Sequence, residues 1–323
     1  MRCALRRASG GLWPATHTRF VVLGAPKPAA ADAFRCGQVA IVGRPSVGKS
    51  TLVNALVGAR ISITSKRPQT TRHRVRGILT TAAAQFIFVD TPGFQARHRS
   101  RLNERMNRAV RESLADVDAI VVVVDAARLT EADRDVLALL PDGVPVIAAV
   151  NKVDRLADKT RLLPLLAAIG AARDFAAIVP ISAEKGWQLD ALTAEITARL
   201  PTGPALYPAD DLTDRDERFL AAEYLREKIF RLLGDELPYA AAVAIDAFAH
   251  ESDLRRIHAT VFVEKASQRA ILLGEGGARM KAIATAARRD MERMFGGKVF
   301  LEVWVRVKPG WANDERMLTQ LGY

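Results

Sequence analysis

Gly43-Arg44-Pro45-Ser46-Val47-Gly48-Lys49-Ser50 comes directly after the apolar run Gln38–Val42 and precedes the helix-compatible stretch Thr51–Ala59. Strand, glycine-bearing loop and helix in that order make a phosphate-binding loop. Gly43 and Gly48 let the backbone N–H groups of the loop turn inward around a phosphate, with Ser46, Val47 and Thr51 completing the cradle. The Lys49 ammonium can reach the outer phosphates, and the Ser50 hydroxyl can hold a magnesium ion.

The rest of the chain bounds this reading. Its 323 residues are enough for two domains, and 49% hydrophobic with 26% charged residues is an ordinary globular composition. No apolar run approaches the eighteen or so residues that cross a bilayer, which argues against an integral membrane protein. Cys3 and Cys36 are too few for a disulfide framework or a four-ligand zinc site, so a reducing interior is expected. The net charge of +11 is concentrated at the ends: residues 1–36 hold six basic and one acidic residue, and residues 265–323 hold eleven basic and six acidic. A basic terminal module points to a polyanion, either nucleic acid or an anionic membrane surface.

Residues 1–36 are rich in Arg, Ala, Gly and Pro, and are expected to form a disordered extension. An organelle transit peptide is the alternative reading of the same Arg-rich, acid-poor composition. Residues 37–200 read as one α/β unit. The runs Gln85–Val89, Ala119–Val124, Val144–Val150 and Ala176–Ile181 are unbroken enough to be buried strands. Helical patterns lie around Arg101–Ala115, Glu131–Leu140, Lys159–Ile169 and Gln188–Leu200. The alternation predicts a doubly wound, mainly parallel sheet, whose ligand sits beyond the carboxyl ends of the strands.

The residues just past those strand ends carry chemistry: Asp90-Thr91-Pro92-Gly93, Asn151-Lys152-Val153-Asp154 and Ser182-Ala183. Each alone could be a turn or a helix cap. Together with the phosphate loop, in this order, they resemble the motif set of the GTPase superfamily. The resemblance implies that Asp90 holds magnesium through water and that the Gly93 N–H senses the γ-phosphate. It implies further that Asp154 takes the guanine N1–H and amino group, Asn151 and Lys152 brace the base, and the Ser182-Ala183 backbone lies near its carbonyl oxygen. A carboxylate accepting two adjacent donors selects guanine over adenine, so the nucleotides are GTP and GDP.

Between the first helix and the Asp90 strand runs the polar, basic segment from Ile61 to Arg74, where a switch loop belongs; Thr70 or Thr71 can supply a magnesium ligand there. His73, a lone loop histidine, is expected to be solvent-exposed. With this segment the motifs look like the Era family of bacterial ribosome-assembly GTPases. Lys49 and Gly93 are then the residues closest to the chemistry. Phe94 stands where Ras-type GTPases place a water-orienting glutamine, so slow intrinsic hydrolysis is expected. Ser46 replaces an asparagine usual in the family and associated with potassium, which leaves potassium dependence open.

Pro201, Pro204 and Pro208 mark a linker over residues 201–212. In the module 213–323 a helix is expected from Thr213 or Asp214 to Gly234. Strand patterns come next at Ala240–His250, Arg256–Glu264 and Ala270–Leu273, then Gly274-Glu275-Gly276-Gly277, a basic helix through Phe295 and the strand Lys298–Val307. The Gly-x-x-Gly turn before that helix resembles a KH RNA-binding domain, type II-like. Gly274, Gly276, Gly277, Arg279, Lys281 and Arg288 are the candidate RNA contacts. Glu275 places an acid in a loop that meets phosphate. Glu236-Leu237-Pro238-Tyr239, Val263-Glu264-Lys265 and Leu301–Val305 also look like the Era version.

The resemblance implies a magnesium-dependent GTPase switch that binds 16S ribosomal RNA of the assembling small subunit, with no role for DNA. A cytoplasmic monomer with a peripheral contact to the anionic inner membrane is expected. Two other readings use the same residues: an RNA tether whose nucleotide site is only structural, and a membrane-surface regulator.

Overall fold

The structure, a computed structural model, describes residues 33–64, 71–94, 101–233 and 240–322. Most of the N-terminal extension, Thr70, Gly234 and the Glu236-Leu237-Pro238-Tyr239 stretch lie outside these residues.

The first unit runs β1 (Arg35–Val42), α1 (Lys49–Val57), β2 (Val75–Thr80), β3 (Ala84–Asp90), α2 (Arg101–Ala115), β4 (Ala119–Asp125), α3 (Glu131–Leu137), β5 (Val146–Asn151), α4 (Leu162–Ala172), β6 (Ala177–Pro180) and α5 (Leu189–Thr197). Strand order is β2-β3-β1-β4-β5-β6, parallel except for β2, which runs antiparallel to β3. Alternate residues of each strand feed opposite faces. Val39, Ile41, Val121 and Val123 join the core with Leu52, Leu192 and Ile196, while Ala40, Val42, Val122 and Val124 join another with Leu137 and Ile169. With β1 central, the order turns in both directions from its carboxyl end, and the crevice opens there.

The second unit runs α6 (Glu217–Leu232), β7 (Ala241–Glu251), β8 (Leu254–Val263), α7 (Ala266–Leu273), α8 (Ala278–Phe295), β9 (Lys298–Val307) and α9 (Glu315–Gln320). Its sheet is β7-β8-β9, antiparallel then parallel. Leu225 and Ile229 of α6 and Ile283, Ala287 and Met291 of α8 pack with Ile257, Ala259 and Val261 in one core on one face of this sheet.

Several boundaries differ from expectation, each for a local reason. β1 begins at Arg35, so the last residues assigned to the extension are ordered by pairing with β3. α6 begins at Glu217 because Asp216 caps it, its Oδ1 accepting from Phe219 N at 2.8 Å. Thr213 instead donates to the Arg76 carbonyl at 2.6 Å and pairs across from Gly77. Residues 159–161 form a single 3-10 turn, and α4 starts after it. Ala270–Leu273, expected as a short strand, is the end of α7: Leu272 is buried beside an exposed Ile271, and Gln268 Oε1 receives the Glu264 and Lys265 N–H groups at 2.9 and 3.0 Å to start the helix. The proline-rich stretch is a strap rather than a free spacer. Buried Gln85 accepts from Leu206 N and Tyr207 N at 2.7 and 2.9 Å, and Ile78 N donates to Leu212 O at 2.9 Å.

Charges close the gap between the units. Arg60, just past α1, donates to Glu227 Oε1 at 2.5 Å and Asp290 Oδ2 at 3.0 Å, and Lys228 also holds Asp290. Glu227, Lys228 and Asp290 are buried. Burial alone would raise the Asp290 carboxyl, but the Lys228 hydrogen bond and the Lys228 and Arg60 charges hold it below its ordinary value. A depressed carboxylate stabilises the fold above its unfolded pKa, and that contribution is lost as pH falls through the folded value. Asp290→Ala leaves buried Lys228 with only the longer contact to Glu227, 3.8 Å away, and should cost about 3 kcal/mol in urea unfolding; adding Lys228→Met should recover part of that loss.

Candidate functional site

The loop between β1 and α1 is shaped by contacts that only glycine permits. Gly43 has φ 151° and a Cβ there would stand 2.5 Å from the Val123 carbonyl oxygen; a Cβ on Gly48, at φ 103°, would collide with the Asn151 amide. Lys49 folds back into this loop, its ammonium donating to the Gly43 and Arg44 carbonyls at 2.9 and 3.0 Å. Burial pulls its pKa down to about 8, with the Asp90 charge opposing. Arg44 is held in turn by buried Asp133, Nε to Oδ1 at 3.1 Å, and Asp133 and Thr130 form the capping box of α3.

Asp90 ends β3 fully buried, and neither carboxylate oxygen has a hydrogen-bond partner within the protein. Burial raises its pKa, with Ser50 and Lys49 opposing. A carboxylate in that position is costly unless something positive or hydrogen-donating meets it. The Ser50 and Thr71 hydroxyls lie 2.7 Å apart beside it in the same crevice. Three oxygen-bearing side chains fit a small hard cation such as magnesium. Thr91 donates to Ile41 O at 2.8 Å, which pins the turn, and Gly93 abuts Pro45 so closely that a Cβ would lie 3.0 Å from its backbone.

The other side of the crevice holds the residues expected to read a base. Asn151, at 2% exposure, donates to Val47 O and accepts from Ala183 N, both at 2.9 Å, so one amide ties the phosphate loop to the Ser182-Ala183 turn. Lys152, at φ 69°, spans from the Ser46 carbonyl at 2.6 Å to Asp125 at 2.7 Å. Its aliphatic stem is thereby fixed as a wall. Asp154 is exposed and oriented by the Ser182 hydroxyl at 2.5 Å. Arg155 and Glu184 bridge the outer rim at 2.8 Å. Ser46 adopts φ 65°, a left-handed conformation that asparagine tolerates better than serine.

Some functional side chains escape the sequence. Asn54 of α1 accepts from Ile61 N and Ser62 N at 3.0 and 2.9 Å and so roots the switch segment. Arg72, 4% exposed, donates to Ala241 O at 2.9 Å and lies 5.8 and 5.6 Å from the ring centroids of Phe230 and Trp311. Asp125 is legible only as the end of a strand. His73 is not the exposed histidine expected. It stands edge-on to Phe219, its Nδ1 lies 3.1 Å from Gly322 O, and burial lowers its pKa to about 4, so it is neutral at pH 7. Phe94 packs against the apolar core under α3 and presents no group to water.

In the second unit Gly274, Gly276 and Gly277 have φ of 71°, 54° and 79°, and a Cβ on Gly274 would stand 2.8 Å from Arg279 Cβ. The loop enters α8 with exposed Glu275, Arg279 and Lys281 around it. Arg279 donates to Ile271 O at 2.6 Å, which closes the loop against α7. Arg288 is not brought to the loop: it is some fifteen ångströms along α8 and paired with Glu292 at 2.6 Å.

A family model described as a 50S ribosome-binding GTPase matches residues 38–152, and a KH domain model matches residues 236–312. Over 293 residues the chain is 53% identical to the GTPase Era of Nitrosomonas eutropha, covering 91% of this chain and 99% of that one. It is 54% identical over 295 residues to the GTPase Era of Neisseria meningitidis, with 91% and 96% covered. Among solved structures, a variant of Aquifex aeolicus Era bound to GDP and aluminium fluoride matches with a TM-score of 0.87 at 36% identity, covering 90% of this chain and 99% of that one. Era in complex with MgGDPNP and nucleotides 1506–1542 of 16S ribosomal RNA matches with the same values.

Asp154→Asn would turn an acceptor into a donor facing the guanine amino group. In a competition assay the variant should lose GTP and prefer xanthosine triphosphate, whose 2-oxo group accepts; undiminished GTP selectivity would overturn the assignment.

Proposed function

The chain belongs to the Era family of GTPases and hydrolyses GTP to GDP and phosphate; from that premise we propose that it is a switch whose KH module binds small-subunit ribosomal RNA during assembly of the small subunit. The observation that carries this reading is a pair of adjacent residues. Thr71 reaches Ser50 in the nucleotide site, while Arg72 is buried in the second unit between Phe230, Trp311 and the start of β7. A change of contacts at Thr71 is therefore felt one peptide away, inside the RNA module.

In the proposed site the phosphate-loop amides and Lys49 hold the phosphates, and Lys49 is already desolvated, so its charge is strong where charge develops. Bound magnesium supplies neutralisation of the phosphate charge, and Ser50, Asp90 and either Thr70 or Thr71 hold it. Gly93 offers its N–H because Pro45 excludes any side chain there. Phe94 cannot orient a water, which leaves intrinsic hydrolysis slow until a partner or the RNA reorders the site. Gly276, Gly277, Arg279 and Lys281 meet the nucleotide backbone at the amino end of α8. We also assign the protein a cytoplasmic, monomeric state with peripheral attraction of its basic ends to anionic lipid; no helix of the described residues is long and apolar enough to cross a membrane. Sedimentation with and without anionic liposomes reads both properties.

RNA affinity of the wild type should differ between GDP and a non-hydrolysable GTP analogue. Arg72→Ala should shrink that difference several-fold while nucleotide affinity is retained. Equal RNA affinities in the two nucleotide states of the wild type would reject the switch.

A further inference from the structure

β9 is an edge strand, and its alternate residues face away from the helices. Val299 and Val305 are buried in the core with Leu301 and Val303 packed against it, so Lys298, Phe300, Glu302, Trp304 and Arg306 form the opposite row. Trp304 is 57% and Phe300 42% exposed. Single exposed apolar residues need no explanation, but here two large aromatics stand on one face with a cation at each end of the row, Lys298 before Phe300 and Arg306 after Trp304, and Glu302 between them. Arg256 of β8, in register with Phe300, lies 5.0 Å from its ring centroid and gives that ring a fixed cationic neighbour. Among the described residues no carboxylate pairs with Lys298, Arg306 or Lys308. The carboxylates on this side are engaged: Glu302 with His258 Nδ1 at 2.8 Å, Glu251 with Arg256 at 3.3 Å and Asp246 with the Thr260 hydroxyl at 2.7 Å.

We propose that this outer face is a second RNA surface, on which unpaired bases stack on Phe300 and Trp304 while Lys298 and Arg306 meet the flanking phosphates. The inference rests on the reading of the module as RNA-binding and extends it to a face that the Gly274–Gly277 loop does not occupy. Three features favour single-stranded RNA as the occupant. Aromatic rings on a sheet with flanking cations are what sequence-tolerant stacking needs, since every base has a π-face. The row is flat and charged at both ends, unlike the broad apolar stripe that a lipid surface or a helix would require. The face is also continuous with the loop: α7 packs on β9, and the loop comes directly after α7. A strand leaving the loop can thus cross the β9 edge onto the outer row.

The test uses the full chain with a labelled RNA spanning nucleotides 1506–1542 of 16S ribosomal RNA, read by fluorescence anisotropy at several salt concentrations. Phe300→Ala and Trp304→Ala should each weaken binding about tenfold or more with little change in salt slope. Arg306→Gln should weaken it and reduce the slope by about one. Gly276→Asp serves as the loop control, and GTP hydrolysis without RNA should be unchanged in Phe300→Ala, Trp304→Ala and Arg306→Gln. If Gly276→Asp loses RNA while the two aromatic variants and Arg306→Gln bind like the wild type, the outer face holds no RNA and the proposal fails, with the loop reading intact. If the wild type itself does not bind, the RNA reading of the module fails first. Self-association that disappears in Trp304→Ala without any change in RNA affinity would make the face a contact between copies, and would also overturn the proposal.

Discussion

A buried ammonium must find oxygen, and the loop around Lys49 is built to that requirement. The Lys49 Nζ takes the carbonyls of Gly43 and Arg44, which curls the loop around the ammonium. Asp90 shows the complementary condition, a carboxylate with neither oxygen hydrogen-bonded in the protein. The opposite charges of Lys49 and Asp90 relieve both only in part, because burial still lowers the one pKa and raises the other. Preorganisation of this kind moves the cost of assembling charges into folding, so that it is not met at the moment of reaction.

That local arrangement is transmitted because neighbouring elements are fixed to it by single side chains. Asn151 joins the loop to the Ser182-Ala183 turn, Lys152 joins it to β4 through Asp125, and Asn54 joins α1 to the segment that follows it. Beyond the switch, Arg72, Arg60 and the strap over residues 201–212 connect the first unit to the second. Ion pairs such as half-buried Arg60 with buried Glu227 contribute little net stability compared with apolar packing, but they demand one geometry. An interface of that character has few tolerated arrangements, which suits a protein that alternates between states.

Legibility tracks burial. The central strands of the first sheet, covered on both faces, appear as unbroken Val, Ile and Ala runs, and β1, β3, β4 and β5 fall where the runs predict. β2 is not legible because it is an antiparallel edge strand, VRGILT, with a glycine and an arginine interrupting the pattern. Ala270–Leu273 misleads for the opposite reason: a short apolar run does not reveal its period, and the Gln268 cap that makes it helical lies outside the run. His73 carries no sign of its partly covered position, since Phe219 and Gly322 are remote in sequence.

The sequence by itself determined the nucleotide chemistry and the two-module order, because phosphate loop, Asp90, Asn151–Asp154 and Gly274–Gly277 are contiguous motifs whose residue types have few other uses together. Backbone demands such as φ near 70° at Gly274 are likewise written locally. Only the tertiary structure decided how the modules are joined. Arg72 beside Trp311, Arg60 between Glu227 and Asp290, and Gln85 under the proline-rich strap are contacts between residues far apart in the chain. Such pairings leave no periodicity in either partner; they arise when two cores have formed and the charges between them must be satisfied.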